Sequence, residues 1–353
     1  MADRCLRERS PNLMMIAALG AALLCVMVFL LWVRELGQPR WVVFEKQTPS
    51  IMGTETTLKA VVERGGDVPA QKALQSAEAV LCDVESRMSI WVGTTELARF
   101  NAARAGELVP LSAETLEVLR AAREISEQTQ GAFDPTCRPV LELRRECQEA
   151  DREPRPEELA QALSRVGWRW IRLQERGAVK LQEGVSVDLG AIAKGYAVDR
   201  AAQAIRAAGA RGGLVQCGGD LRVFGPAELS SRWHIGISDP LDPGGALRPE
   251  VLLISDLAVS TSGNYRRFFT IQGRRYSHII DPRSGKPVDA VPQVTTVAAS
   301  AILSEGWSTA LSVLGPEGLK LLPAGVESML ITETNHVAQV YKSPHFDAFL
   351  APQ

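Results

Sequence analysis

Val187-Asp-Leu-Gly-Ala-Ile-Ala-Lys-Gly-Tyr-Ala-Val-Asp199 passes from β-branched residues into a Gly- and Ala-rich stretch with helical composition. It predicts a strand running into a helix that spans about Gly190 to Ala208. Unpaired N–H groups and the positive dipole end at such a helix start favour an anion, and Gly190 and Gly195 clear side chains from its approach. Lys194 adds a mobile positive charge. A phosphate-bearing ligand suits the segment, and an ordinary strand-to-helix turn packed with small residues fits it equally well.

On either side, the chain alternates short apolar runs with helical patterns. Residues 56 to 63 predict a strand, and Pro69 opens a helix to Met88 with Leu74, Ala77, Leu81 and Val84 on one face. Ser112 is a good cap for a helix that Gly131 stops. The charged, Pro-bearing run Arg144 to Pro156 reads as an exposed excursion. Runs near 214 to 217, 233 to 237, 251 to 261, 267 to 272 and 294 to 299 predict strands. A helix over 302 to 314 ends at Gly315-Pro316, and 327 to 341 predicts a closing hairpin. Helices and antiparallel strands mix without a βαβ repeat, so the fold class is α+β: mixed, largely antiparallel sheets with packed helices.

The chain of 353 residues is 46% hydrophobic and 23% charged, with a net charge of −2. That balance disfavours disorder and nucleic-acid binding, and any charged ligand must be held by a local site. Residues 13 to 33 carry no charge over 21 positions, long enough for one membrane-spanning helix. Trp32-Val33-Arg34-Glu35 offers no signal-cleavage site, which favours an uncleaved anchor over a signal peptide. Arg4, Arg7 and Arg9 place residues 1–12 in the cytoplasm, and Arg34 and Arg40 weaken that bias. The expected organisation is a tether over 34–44 and a catalytic domain over 45–350, outside the cytoplasmic membrane on its periplasmic side. Cys82, Cys137, Cys147 and Cys217 fit no metal pattern. A Cys137–Cys147 bridge is possible there, but buried free thiols are the favoured reading.

Glu305 and Thr309 lie four apart on a predicted helix and project from one face, so a carboxylate and a hydroxyl can reach one hard cation such as Mg²⁺. A polar stripe on a surface helix is the competing reading. His278 is the one histidine in a recognisable motif and can exchange a proton near neutral pH.

Met52-Gly-Thr54, Ser89-Ile-Trp91, Gly131-Ala-Phe-Asp-Pro-Thr136, the stretch from Val187, Gly218-Gly-Asp220, Thr261-Ser-Gly263, Ser277-His-Ile-Ile-Asp-Pro282 and Ser308-Thr-Ala-Leu311 occur in this order. Together they resemble the FAD:protein FMN transferase (ApbE) family over roughly residues 45 to 350. The resemblance implies a T-fold-like catalytic domain and Mg²⁺-dependent transfer of FMN from FAD to a Thr or Ser hydroxyl of a partner protein, with release of AMP. Partners would be exported or membrane redox subunits.

It also implies FAD contacts at Met52, Trp91, Ala132, Phe133, Asp134, Asp188, Lys194 and Ile280, and metal ligands at Ala191 (by its carbonyl), Glu305 and Thr309. Glu305 stands where the family usually has Asp. Ser308 stands where some relatives carry a further carboxylate, and Gln216 where they often have Asn. His278 is then the candidate base, with Asp281 as its orienting partner. An FAD pyrophosphatase and a non-catalytic flavin-binding or delivery protein are the alternatives.

Overall fold

The computed structural model describes residues 40–227, 230–238, 250–263, 268–334 and 337–352, together with 19–20, 23–24 and 26–28. The predicted anchor over 13–33 lies mostly outside the described residues. Those of its residues that are described are helical and exposed, and among the described residues no helix is long and apolar enough to cross a membrane. Met1–Val42 and Val43–Gln353 form separate compact units.

One eight-stranded sheet dominates the second unit. Its strands are β1 (Trp41–Ile51), β2 (Thr54–Glu63), β3 (Gly212–Cys217), β4 (Asp220–Phe224), β5 (Ala258–Gly263), β6 (Gln293–Ala298), β7 (Glu327–Thr334) and β8 (Val337–Lys342). They neighbour one another in chain order, and every pair from β2 to β8 is antiparallel. A meander of this kind leaves one face free for helices, as an α+β fold requires. β1 takes over the last residues of the predicted tether.

The helices are α1 (Asp67–Met88), α2 (Glu96–Ala102), α3 (Ala113–Gln128), α4 (Arg138–Glu149), α5 (Pro156–Leu163), α6 (Ala193–Ala207) and α7 (Ala301–Leu314). Leu74, Ala77, Leu81 and Val84 of α1 are buried, as their spacing predicts. α1 packs on β2 and α6, α6 on β3 and β4, and α7 on β5 and β6. Ser112 caps α3 by accepting from the Thr115 N–H at 3.3 Å.

Two matched pairs fix α7 on the sheet. Ser260 and Ser262 of β5 meet Ser304 and Ser308 of α7 at 2.8 and 2.7 Å. Two strand residues span about 6.7 Å and four helix residues about 6 Å, so both pairs close together. Glu305 and Thr309 are thereby held in fixed orientation.

α6 and α7 also cap each other. Asp199 of α6 accepts from the Ala301 and Ile302 N–H groups at 2.9 and 3.0 Å and from Arg222 at 2.6 Å. Glu305 of α7 in turn accepts from the Gly195 N–H at 2.6 Å. Each helix start therefore receives a carboxylate from the other helix, where the dipole favours an anion.

Several expectations are corrected. Residues 185–189 form no sheet strand. The Asn101 side chain binds Val187 instead, donating to its carbonyl and accepting from its N–H, both at 2.8 Å. The run 144–156 is largely exposed, as expected, but it is not irregular: its first half ends α4, its last residue opens α5, and Arg144 and Cys147 are buried, beside an apolar cluster containing Val140, Ala162, Val166 and Ile280. Arg144 is buried there and donates to the Gly285 carbonyl at 2.8 Å. Its charge conceals a long aliphatic stem. The predicted strand 251–261 is two strands, Glu250–Ile254 and β5, parted by a turn with Asp256 at φ 55°. β4 was not predicted. All four described cysteines are free, and Cys82 is exposed rather than buried.

Candidate functional site

A cavity of about 1080 Å³ opens where the β2, β3 and β5 ends meet the starts of α6 and α7. Met52, Trp91, Ala132, Phe133, Asp134, Asp188, Ala191, Lys194, His278, Ile280, Glu305 and Thr309 all line it, although the sequence scatters them over more than 250 positions. Asp281 does not line it. Its two carboxylate oxygens accept from Arg283 at 2.9 and 3.1 Å, so the structure gives this carboxylate a guanidinium partner within its own turn.

Local bonding explains how the segments converge. The Asp188 N–H donates to the Pro135 carbonyl at 2.9 Å, tying the Ala132–Thr136 loop to the Val187 stretch. One oxygen of Asp134 accepts from the N–H and hydroxyl of Thr136, at 2.9 and 2.7 Å. Burial raises the Asp134 carboxyl above its ordinary range, against the pull of Thr136. Asp134 is thus the Asx turn that its position before Pro135 suggests, with its loop facing the cavity. Phe133 and Ala132 are buried, Met52 is half-buried at φ 53°, and Trp91 stands 76% exposed with the Arg145 guanidinium 5.8 Å from its ring centroid. An exposed ring at a cavity wall offers a stacking face for a flat aromatic ligand.

The phosphate reading of the Val187 stretch needs revision. α6 begins at Ala193, and the Gly190 N–H is already used by Asp188 at 2.8 Å. A Cβ on Gly195 would lie 2.3 Å from the Ala301 carbonyl oxygen. Gly195 therefore serves close packing of α6 on α7, and the anion at its N–H is Glu305. Lys194 is not a mobile charge either. Its ammonium contacts Glu305 directly, donates to the Gly190 carbonyl at 3.0 Å and lies 3.2 Å from Asp220.

The two carboxylates are buried, the lysine is partly so, and their charges are interdependent. Burial and the adjacent Asp220 raise Glu305 above the ordinary carboxylate range, opposed by Lys194 and the Gly195 N–H. Burial works against the Lys194 charge, but Asp220 and Glu305 more than offset it, and the lysine is held well above its ordinary value. The lysine keeps its proton. One ammonium is thereby set against two carboxylate side chains.

The donor set fits a hard cation. Glu305 and Thr309 line the cavity together with Ala191 and Asp220, residue types that can offer carboxylate, hydroxyl and backbone carbonyl oxygen to one ion. Glu305 is 3% exposed, so the surface-stripe reading of this helix face does not hold. Among the described residues no group of three or more His, Cys, Asp or Glu is placed to hold a metal. A cation here would depend on hydroxyl and carbonyl oxygens and on its substrate. Ser308, where a further carboxylate was conceivable, instead bonds Ser262. Asp220 is the site residue that sequence reasoning passed over, and its signal was present in Gly218-Gly-Asp220.

Fold and cavity together define an α+β protein with a large cleft, built around a partly buried lysine between two carboxylates. The family model described as "ApbE family" matches residues 52–330, and the chain belongs to that family. It is 32% identical over 306 residues to the FAD:protein FMN transferase of Vibrio cholerae, covering 85% of this chain and 91% of the relative. A protein of the same name from Haemophilus influenzae is 32% identical over 274 residues, covering 75% and 79%. The solved structure of the flavin transferase ApbE from Vibrio cholerae superposes with a TM-score of 0.77 at 29% identity, covering 89% of this chain and all of that one. The apo form of Pseudomonas stutzeri flavinyl transferase ApbE gives 0.77 at 30% identity, covering 90% and 99%.

Proposed function

We propose that this chain transfers FMN from FAD to a Ser or Thr hydroxyl of a partner protein. One observation carries the proposal: the residues that resemble the family's FAD and metal positions line one cavity large enough for a dinucleotide, in a chain about one-third identical to named FAD:protein FMN transferases.

In this reading Met52, Trp91 and Phe133 enclose the flavin end, with Asp134, Asp188 and Ile280 beside it. Glu305, Thr309, the Ala191 carbonyl and Asp220 would hold Mg²⁺. When bound, Mg²⁺ would neutralise charge on the pyrophosphate and on the departing AMP. His278, exposed at the cavity, takes the proton of the acceptor hydroxyl as its oxygen bonds to the FMN phosphorus. The phosphorus–oxygen bond to AMP breaks in the same displacement, and AMP carries away the bond's electron pair.

Residues 13–33 are proposed as an uncleaved single-pass anchor, supported by their 21 uncharged positions. The acceptors are then exported or membrane redox subunits. The test of the chemistry is chromatography of FAD incubated with the chain, Mg²⁺ and candidate acceptors. AMP should appear only with Mg²⁺, in step with flavin on the acceptor. Flavin loss from FAD into free FMN, with none on protein, would instead make the chain a pyrophosphatase. Bound FAD that is never cleaved would make it a flavin binder.

A further inference from the structure

The Glu305 carboxylate, assigned above to a divalent cation, already holds a cation of the protein's own. Its oxygens accept from Lys194 and from the Gly195 N–H, and the same ammonium reaches Asp220 at 3.2 Å and the Gly190 carbonyl at 3.0 Å. The side chain is anchored by a short backbone reach: Lys194 and Gly195 sit in the first turn of α6, directly opposite the first two turns of α7. Glutamate supplies the length to reach both donors. An aspartate at 305, one methylene shorter, would fall short of at least one of them.

We propose that Lys194 is the resident cation of this site, and that metal loading is an exchange in which the incoming ion displaces the Lys194 ammonium from Glu305. This rests on the metal reading given above. Two full positive charges do not share one buried carboxylate oxygen cheaply, because their repulsion is weakly screened there. The released ammonium remains at the cavity, since Lys194 lines it. There it can meet the anionic pyrophosphate, the task that its position in the sequence suggested. The lysine thus has two partners in succession, and the ion decides between them.

The test uses the full chain without FAD. Reductive methylation with formaldehyde, read by mass spectrometry of the peptide containing Lys194, should be slow without metal and faster with saturating Mn²⁺. An unchanged or lower rate at Lys194, with Mn²⁺ bound, overturns the exchange. In parallel, Lys194→Gln should bind Mn²⁺ roughly tenfold or more tightly than the unaltered chain, as free Mn²⁺ measured by electron paramagnetic resonance reports. Equal or weaker binding in the variant also overturns it. If neither protein binds Mn²⁺, the metal reading itself fails. If both bind it alike, only the exchange does.

Discussion

Gly195→Ala is a substitution for which helix propensity and packing predict opposite signs. In an unencumbered helix, replacing Gly by Ala stabilises by about 0.8–1.0 kcal/mol. Here the new Cβ would meet the Ala301 carbonyl oxygen at 2.3 Å, its carbon at 2.5 Å and the Ile302 nitrogen at 2.8 Å, all of them backbone atoms that cannot rotate away. α7 must retreat from α6, and its first turn carries the N–H groups that Asp199 holds at 2.9 and 3.0 Å. Overpacking of this kind costs about 1–3 kcal/mol, and a weakened cap about 1 kcal/mol more. The net expectation is a loss of roughly 1–3 kcal/mol after the propensity gain. Guanidinium unfolding gives the measurement, with Gly93→Ala as control, since nothing lies within 4 Å of a Cβ there. The variant should unfold at lower denaturant with an unchanged slope. A midpoint equal to or above that of the unaltered chain would refute the claim that Gly195 exists for helix contact.

Asp199→Ala should destabilise by about 3–5 kcal/mol, because it leaves Arg222 and two helix-start N–H groups without their buried carboxylate; equilibrium unfolding reads this. Burial raises the Glu96 carboxyl, but hydrogen bonds from Ser112 and Thr115 and the charge of Arg87 lower it further, to a net value below the ordinary range. A lowered folded pKa contributes stability that is complete above the unfolded value of about 4.3 and is lost as pH falls through the folded one. The stability gap between the native chain and Glu96→Gln should therefore be full at neutral pH and close under acid, as urea unfolding at a series of pH values shows. Glu305→Gln and Thr309→Val should reduce Mg²⁺-dependent AMP release by roughly 100-fold or more while FAD titration changes little. Glu305→Asp should keep part of the rate.

The parts of this molecule set by local pattern were readable from sequence. The buried face of α1, the Ser112 cap and the closing hairpin follow from periodicity and turn chemistry, which act within a few residues. What escaped was set by distant partners. Val187 looks like a sheet strand because it alternates with Val185, both β-branched, yet its hydrogen bonds go to the Asn101 side chain. The α4 helix hid behind its charges, since Arg144 is buried along its stem. Motif order named the cavity's lining, including Trp91 and Ile280, but not the bonds among those residues. Nothing local says that Lys194, four residues after Gly190 in a phosphate-like motif, will lie between Glu305 and Asp220, since these come from a helix and a strand far along the chain. Asp281 next to His278 in sequence likewise suggested a pair, whereas its own turn supplies Arg283.

The most direct test of the proposed activity is the intact mass of an exported redox subunit co-expressed with this chain, compared with the same subunit co-expressed with His278→Ala. The unaltered chain should add one FMN phosphoester to a Ser or Thr of the subunit, and the variant should add none while still binding FAD. A subunit that gains the same mass with the variant would remove His278 from the reaction. A subunit that gains no flavin mass with the unaltered chain, under conditions where FAD is nonetheless bound, would contradict the transfer itself.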